Sequence, residues 1–336
     1  MSEAFRLMLE DGMPLHDRTG RPVQVPEPQA PLADTHGHLT CFRTVDVAEA
    51  LCRAALVGVR LLVVPIDPVG DFGSDETRWH DVAGLLAWLD GQAERARVLL
   101  ATSERAGLRQ PTYGGDVPQL LDNVRIVAGV HPYGALRVRE PAVRERLEAL
   151  LASPRCVGVG EIGLDAGPYA ELALERQEQA LRWQLTVARE RHLPVELHLR
   201  DGEHDTAAHD LAAHVLAEEG VPQAGCDLHC FTQGPEVLRP FAELGCHIAF
   251  GGAATFKRSD AIRAAAVGCP AGRMLSETDC PYMAPVPLRG RECEPAMVAL
   301  TSSLLADVRE RELGVSRTAT YRALWRNACT LFGLQG

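Results

Sequence analysis

Eight apolar, β-branched runs divide the chain, at 31–39, 58–66, 124–131, 156–163, 193–199, 225–231, 246–252 and 273–279. Segments of helical periodicity separate most of them. The clearest is 169–192, where Leu174, Leu181, Leu185 and Ala188 form one apolar stripe between charged faces. Alternating strands and helices argue for a parallel sheet, and the count of eight argues for its closure into a TIM (β/α)8 barrel. The 336 residues could hold two ordinary domains, but they also suit one barrel with insertions. We therefore expect a single barrel domain over 31–336. Residues 1–30, with turn signals at Asp11-Gly12, Thr19-Gly20 and Pro26-Glu27-Pro28, read as an irregular extension. The connection 67–123 is long for a barrel and leaves the C-terminal end of the second strand. It is expected over the active-site face.

Composition narrows the class. Hydrophobic content of 46% with 24% charged residues suits a soluble globular protein with a full core. No apolar run approaches the roughly 18 residues needed to cross a membrane. The opening Met1-Ser2-Glu3-Ala4-Phe5-Arg6 lacks an apolar signal region, so the cytoplasm is expected. Ten scattered cysteines suit reduced, buried thiols better than a disulfide framework. A formal charge of −11 argues against a generic nucleic-acid binder. Any nucleic-acid substrate must be held locally, with a metal at the phosphate. No stable protein partner is implied. Gly251-Gly252 marks a close turn and lacks the spacing of a dinucleotide site.

Chemistry is concentrated at the strand ends. Asp34-Thr35-His36-Gly37-His38 closes the first run, and period-two alternation puts Asp34, His36 and His38 on one face. Taken alone, this could be a strand with two hydrogen-bonded core histidines. The pattern recurs, however, with His131, Glu161, His198, His229 and Asp279 ending later runs in the same sense. So many ionisable groups in an apolar barrel mouth are costly unless a cation compensates them. Imidazole and carboxylate ligands suit Zn2+, Mn2+, Co2+ or Fe2+, whereas Mg2+ favours oxygen and water. Six ligands exceed one tetrahedral zinc, so two ions bridged by a carboxylate is the natural count. Glu161 is the natural bridge. His36, His38 and Asp279 would hold one ion, and His198 and His229 the other.

At this point the words become specific. Asp34-Thr-His-Gly-His-Leu39, Gly129-Val-His-Pro132, Gly160-Glu-Ile-Gly-Leu-Asp165, the stretch Pro194 to Asp201, His229-Cys-Phe231 and Glu277-Thr-Asp-Cys-Pro-Tyr282 occur in order at barrel spacing. This set resembles the TatD family of metal-dependent deoxyribonucleases and hydrolases, within the amidohydrolase-like metal-dependent barrels. The resemblance implies the same six metal ligands (His36, His38, Glu161, His198, His229 and Asp279), with two divalent ions, Zn2+, Mn2+ or Mg2+. It makes His131 a substrate or supporting group. The chain departs from the family in residues 1–30, in the length of 67–123, and in Thr40, Tyr133 and Cys293, where relatives commonly carry Asp, His and Asn. Phosphotriesterase, urease and dihydroorotase-type barrels bridge their metals with a carboxylated lysine on the fourth strand. Glu161 stands there instead, and the sole lysine is Lys257, after the seventh strand.

These readings predict a two-metal hydrolase of DNA or small nucleotide phosphodiesters. A water or hydroxide bridging the ions would attack phosphorus, with Asp279 positioning it and taking its proton. His131, Arg200, Lys257, Tyr282 and Arg289 are the candidate substrate contacts. His204, His209 and His214 are expected on a helix surface. One alternative is hydrolysis of an amide, lactone or other carboxylic ester by the same site. A second is a degenerate barrel that only binds.

Overall fold

The computed structural model describes residues 1–73 and 78–334. Eight strands form one parallel sheet: β3 (Leu32–Asp34), β4 (Val59–Ile66), β5 (Val124–Ala128), β6 (Cys156–Asp165), β7 (Val195–Arg200), β8 (Cys226–Leu228), β9 (His247–Phe250) and β10 (Met274–Ser276). They pair in sequence order, and every pairing is parallel. The outer ring is built by α2 (Val47–Leu56), α3 (Val82–Arg105), α4 (Pro141–Leu151), α5 (Leu174–Arg191), α6 (Ala207–Glu219), α7 (Pro235–Glu243), α8 (Asp260–Gly268), α9 (Val298–Leu313) and α10 (Arg317–Leu331). The barrel read from the alternation is present.

Alternation along each strand explains how one sheet serves two environments. Leu62, Val64, Val195, Leu197, Ile248 and Phe250 join the large outer core with the helices. Their neighbours Leu61, Val63, Val127, Ala249 and Leu275 form a separate cluster that α10 closes with Trp325, Leu331 and Phe332. Leu15, Leu51 and Tyr321 are almost fully buried, so the outer core reaches every layer of the ring.

The sheet closes where its ends meet. Thr35 N donates to Ser276 O at 3.2 Å and Ser276 Oγ donates to Ala33 O at 3.2 Å. Further along, Gly37 bridges Cys280, and His38 N donates to Cys280 O at 2.6 Å. The first strand stops at Asp34, earlier than the sequence run. Asp34 does not join His36 and His38 on one face. Its carboxylate turns to the seam, where it accepts from Thr278 N (2.8 Å) and Thr278 Oγ1 (2.7 Å).

Two expectations about the additions change. Residues 1–30 are not irregular throughout: α1 (Glu3–Asp11) is capped by Ser2, and β1 (Leu15–His16) pairs with β2 (Pro22–Val23). The capping serine, followed by Phe5 and Met8 three residues apart, was the available signal. Phe5 and Met8 are fully buried against Cys52 and Leu56 of α2 and Leu99 and Leu100 of α3. The long connection is also less exceptional than it reads, because 24 of its residues form α3, the ring helix that returns the chain from β4 to β5. Residues 74–77 of that connection lie outside the described residues. Near the barrel mouth it contributes Asp71, whose Oδ1 accepts from Thr40 Oγ1 at 3.0 Å.

A Cβ at Gly37 would fall 2.7 Å from Cys280 Sγ, nearer than side-chain carbons approach. Gly37→Ala should therefore cost about 1–3 kcal/mol through overpacking at the seam. Adding Cys280→Ala should recover much of the loss. Thermal melts of the two variants check this, and no recovery in the double variant would argue against the clash.

Candidate metal centre

Consecutive strands end in polar residues, and the barrel brings those ends together. On β7, Val195 and Leu197 face the helices, while Glu196 and His198 share the interior face. The same alternation on β8 buries Cys226 and Leu228 outward and leaves Asp227 and then His229 facing in. His36 and His38 arrive from the turn after β3. Asp279 arrives from the turn after β10 and is joined to that first turn by Asp279 N donating to His36 O at 3.0 Å. Asp279 holds φ of 54° and Cys230 φ of 48°, left-handed backbone that side-chain-bearing residues seldom adopt. Such strain persists where surrounding contacts over-determine it. Here Cys230 N donates to Glu277 Oε1 at 2.5 Å.

All six expected ligands converge. His36 Nε2 lies 3.0 Å from His38 Nε2, and His198 Nδ1 lies 3.2 Å from His229 Nε2. Glu161 Oε1 is 2.8 Å from His198 Nδ1 and 2.9 Å from His229 Nε2, and Glu161 Oε2 is 3.7 Å from His38 Nε2. Asp279 Oδ1 is 3.6 Å from His38 Nε2 and 3.9 Å from His36 Nε2. The rings of His36 and His229 stack at 3.9 Å. Three overlapping triads have donor atoms within 4.8 Å of one another: His36–His38–Glu161, His36–His229–Asp279 and His131–Glu161–His198. Imidazole nitrogens that face one another and a shared carboxylate form a donor set that fits divalent cations.

His131, the expected substrate or supporting group, has Nε2 3.8 Å from Glu161 Oε1. His229 bridges the two halves into which the sequence divided the ligands. Of the proposed substrate contacts, Tyr282 is half exposed with its ring 5.9 Å from that of His38. Arg200 lies under the Tyr169 ring at 5.7 Å, and Arg289 lies over Phe256 at 4.3 Å. Lys257 is exposed, and its ammonium has no partner among the described residues. His204 and His214 are exposed as expected, but His209 is not on a surface. It is buried, with Nδ1 2.7 Å from Asp201 Oδ2, because Asp201 also accepts from Ala208 N and His209 N at the start of α6.

Supporting residues emerge only from the structure. Asp165 Oδ2 is 2.9 Å from His198 Nε2 and accepts from Tyr133 Oη at 2.9 Å, while Oδ1 accepts from Gly167 N at 2.6 Å. Glu196 Oε1 is 2.9 Å from His36 Nδ1, with both side chains buried. Carboxylates on the far nitrogen of a ligating imidazole fix its ring and tautomer. Glu196 and Glu277 each stand two residues before a site residue, so period-two alternation could have found both. Below them, both oxygens of buried Asp227 lack a hydrogen-bond partner among the described residues.

Burial alone would raise the Glu161 carboxyl. The imidazoles of His229 and His131, with hydrogen bonds from His198 and His229, outweigh it and hold Glu161 well below the usual carboxylate range. Burial, then the neighbouring His229 and His38, hold His36 far below the usual imidazole range. Burial likewise lowers His131 to about 3. His198 goes the other way: burial is overcome by Asp165 and Glu161, which lift it to about 9. Burial raises Asp279, partly offset by His38 and His229.

With this geometry in view, known proteins supply the context. The family model TatD related DNase matches residues 33–333. The chain belongs to the TatD family. It is 39% identical over 185 residues to the uncharacterized metal-dependent hydrolase YcfH of Escherichia coli K12, an alignment covering 55% of this chain and 66% of YcfH, just under two thirds of that protein. It is 34% identical over 212 residues to the 3'-5' ssDNA/RNA exonuclease TatD of Klebsiella pneumoniae, covering 62% and 76% of the two chains. Among solved structures, the TatD homologue YjjV of Escherichia coli K12 superposes with a TM-score of 0.67 at 26% identity, over 90% of this chain and 98% of that one. Within the TatD family frame, the departures at Tyr133 and Thr40 gain roles here: each hydroxyl donates to a carboxylate beside the mouth.

Asp165→Ala should free the His198 ring and weaken Mn2+ or Zn2+ binding about 10- to 100-fold. Calorimetric titration of chelator-stripped protein measures it, and an unchanged affinity would remove Asp165 from the supporting role.

Proposed function

We propose that the chain is a two-metal hydrolase that cleaves phosphodiester bonds of DNA or small nucleotides. The reading is carried by one observation: three donor triads overlap on Glu161, His36 and their neighbours in a single barrel mouth. The exonuclease name of the Klebsiella relative supports the substrate class. His36, His38, Glu161, His198, His229 and Asp279 would hold the ions, with His131 beside them. Divalent cations held there supply the Lewis acidity that polarises a phosphoryl oxygen and acidifies water at neutral pH.

The remaining work falls to side chains of this protein. Glu161, gripped by His198 and His229, keeps both halves of the donor set at fixed separation. Asp279, partly open to solvent beside His38, faces the mouth and accepts the proton of the attacking water. Asp165 and Glu196 hold the rings of His198 and His36 against rotation. Arg200, Arg289, Lys257 and Tyr282 stand as contacts for substrate phosphate and base around the rim. No helix among the described residues is long and apolar enough to cross a membrane. Ten free thiols suit the reducing cytoplasm, where we place the protein.

Purified protein given defined metals should hydrolyse single-stranded DNA and bis-p-nitrophenyl phosphate. Turnover confined to amide or lactone panels would transfer the reading to carbonyl chemistry, and metal binding without turnover would favour a binding protein. Glu161→Gln removes a shared donor. It should lower metal content and reduce turnover by more than about 100-fold, beyond the loss expected for a merely supporting partner. Chelation should also lower the thermal midpoint, and restored metal should raise it again. Occupancy at 100 times the dissociation constant contributes about 2.7 kcal/mol. A midpoint indifferent to chelator would count against ions resident in the barrel.

A further inference from the structure

Next to the donor cluster, the rim carries two tyrosines grouped around Arg200. Tyr169, between β6 and α5, is 72% exposed, the most open Phe, Tyr or Trp ring among the described residues. It lies against the Arg200 guanidinium, whose Cζ is 5.7 Å from the ring centre. Arg200 ends β7 two residues beyond His198, so alternation directs it to the same side of the sheet. Its backbone is fixed to β6, since Ala166 N donates to Arg200 O at 2.7 Å. Tyr133 completes the group. Its ring is 48% exposed and meets His131 edge-on at 4.4 Å, and its hydroxyl bonds Asp165, the residue that orients His198. Arg200 is also a polar neighbour of the Tyr133 phenol. Two open phenol faces and a cation thus share one edge of the mouth, next to the His198 side of the metal centre.

A large apolar ring left in water gains nothing for the fold. Packed on a guanidinium, it is instead a prepared flat surface with positive charge behind it. With a phosphodiester at the metal centre, the neighbouring group that offers a flat face and attached negative charge is a nucleobase on its sugar-phosphate. Stacking requires an unpaired base, because a duplex covers those faces with its own neighbours. The protein's net charge of −11 points the same way, since attraction here is local to the rim.

We propose that Tyr169, stacked on Arg200 and flanked by Tyr133, is a base-stacking subsite that holds an unpaired nucleotide beside the scissile phosphate. The proposal rests on the phosphodiesterase reading. It assigns specificity for base-bearing single strands to this edge, without readout of sequence, because every base presents a π face.

The test compares a single-stranded oligodeoxyadenylate with an abasic tetrahydrofuran phosphodiester strand of equal length. In the wild-type protein, KM for the abasic strand should exceed that for the oligodeoxyadenylate by about 5- to 150-fold, the range that one base–aromatic stack supplies. Tyr169→Ala should bring this ratio close to one, whereas Tyr169→Trp should preserve it. Fluorescence anisotropy of the labelled strands in EDTA, below the melting temperature of the chelated protein, should show the same loss of discrimination without turnover. A wild-type protein that cleaves both strands with equal KM, or a Tyr169→Ala variant that keeps the ratio, would overturn the stacking subsite and leave the phosphodiesterase reading standing. Failure of the wild-type protein to cleave either strand would overturn both.

Discussion

An excess of carboxylates held away from water governs this barrel. Glu161, Glu196, Asp227 and Glu277 are each less than a tenth exposed, and among the described residues imidazoles, not lysine or arginine, are the charged partners of Glu161 and Glu196. Burying an acid without a counter-charge costs several kcal/mol even after the surroundings relax. What the interior offers instead is imidazole, stacked and edge-on, with its lone pairs turned toward the same small volume. Such a lining is tolerable when cations enter it, and strained when they do not. At His198, burial alone would lower the imidazole, and the Asp165 and Glu161 carboxylates on either side of the ring raise it to about 9.

Much of this could be read before any coordinates. The barrel followed from counting apolar runs, because each run must be buried on both faces and eight such strands close on themselves. The convergence of side chains followed from where those runs end, because a charged side chain at the tip of a buried strand needs a reason to be there. The supporting layer was harder to see. Glu196 lies in the middle of the run Pro-Val-Glu-Leu-His, and Asp227 in the middle of Cys-Asp-Leu-His, where a polar residue passes for the solvent face of a half-exposed strand. In a closed barrel that face is the interior. Only the ladder, which sets Glu196 beside Asp227 and Asp227 beside His247, shows that they neighbour one another.

Other differences share a cause, namely contacts between residues distant in sequence. Asp34 has the spacing of a ligand, yet it serves the seam because Thr278 offers two donors to its carboxylate. His209 has the spacing of a surface residue, yet Asp201 draws it inward. His131, expected as a substrate or supporting group, comes within 3.8 Å of Glu161. Its distance from Glu161 is set by the turn after β5, whose first peptide groups are gripped by Gln184: its side-chain oxygen accepts from Val130 N and its amide donates to Val130 O.

The seating of α1 has its own consequence. Phe5 and Met8 occupy a groove whose walls are α2 and α3, so the leading segment and the long crossover cover one another's oily surfaces. Neither addition is an independent ornament on the barrel. A descendant that shed the first dozen residues would be left with a sticky furrow along its flank, and one that shortened the crossover would strand the leading helix. The two are thus bound to be inherited, trimmed or lost together.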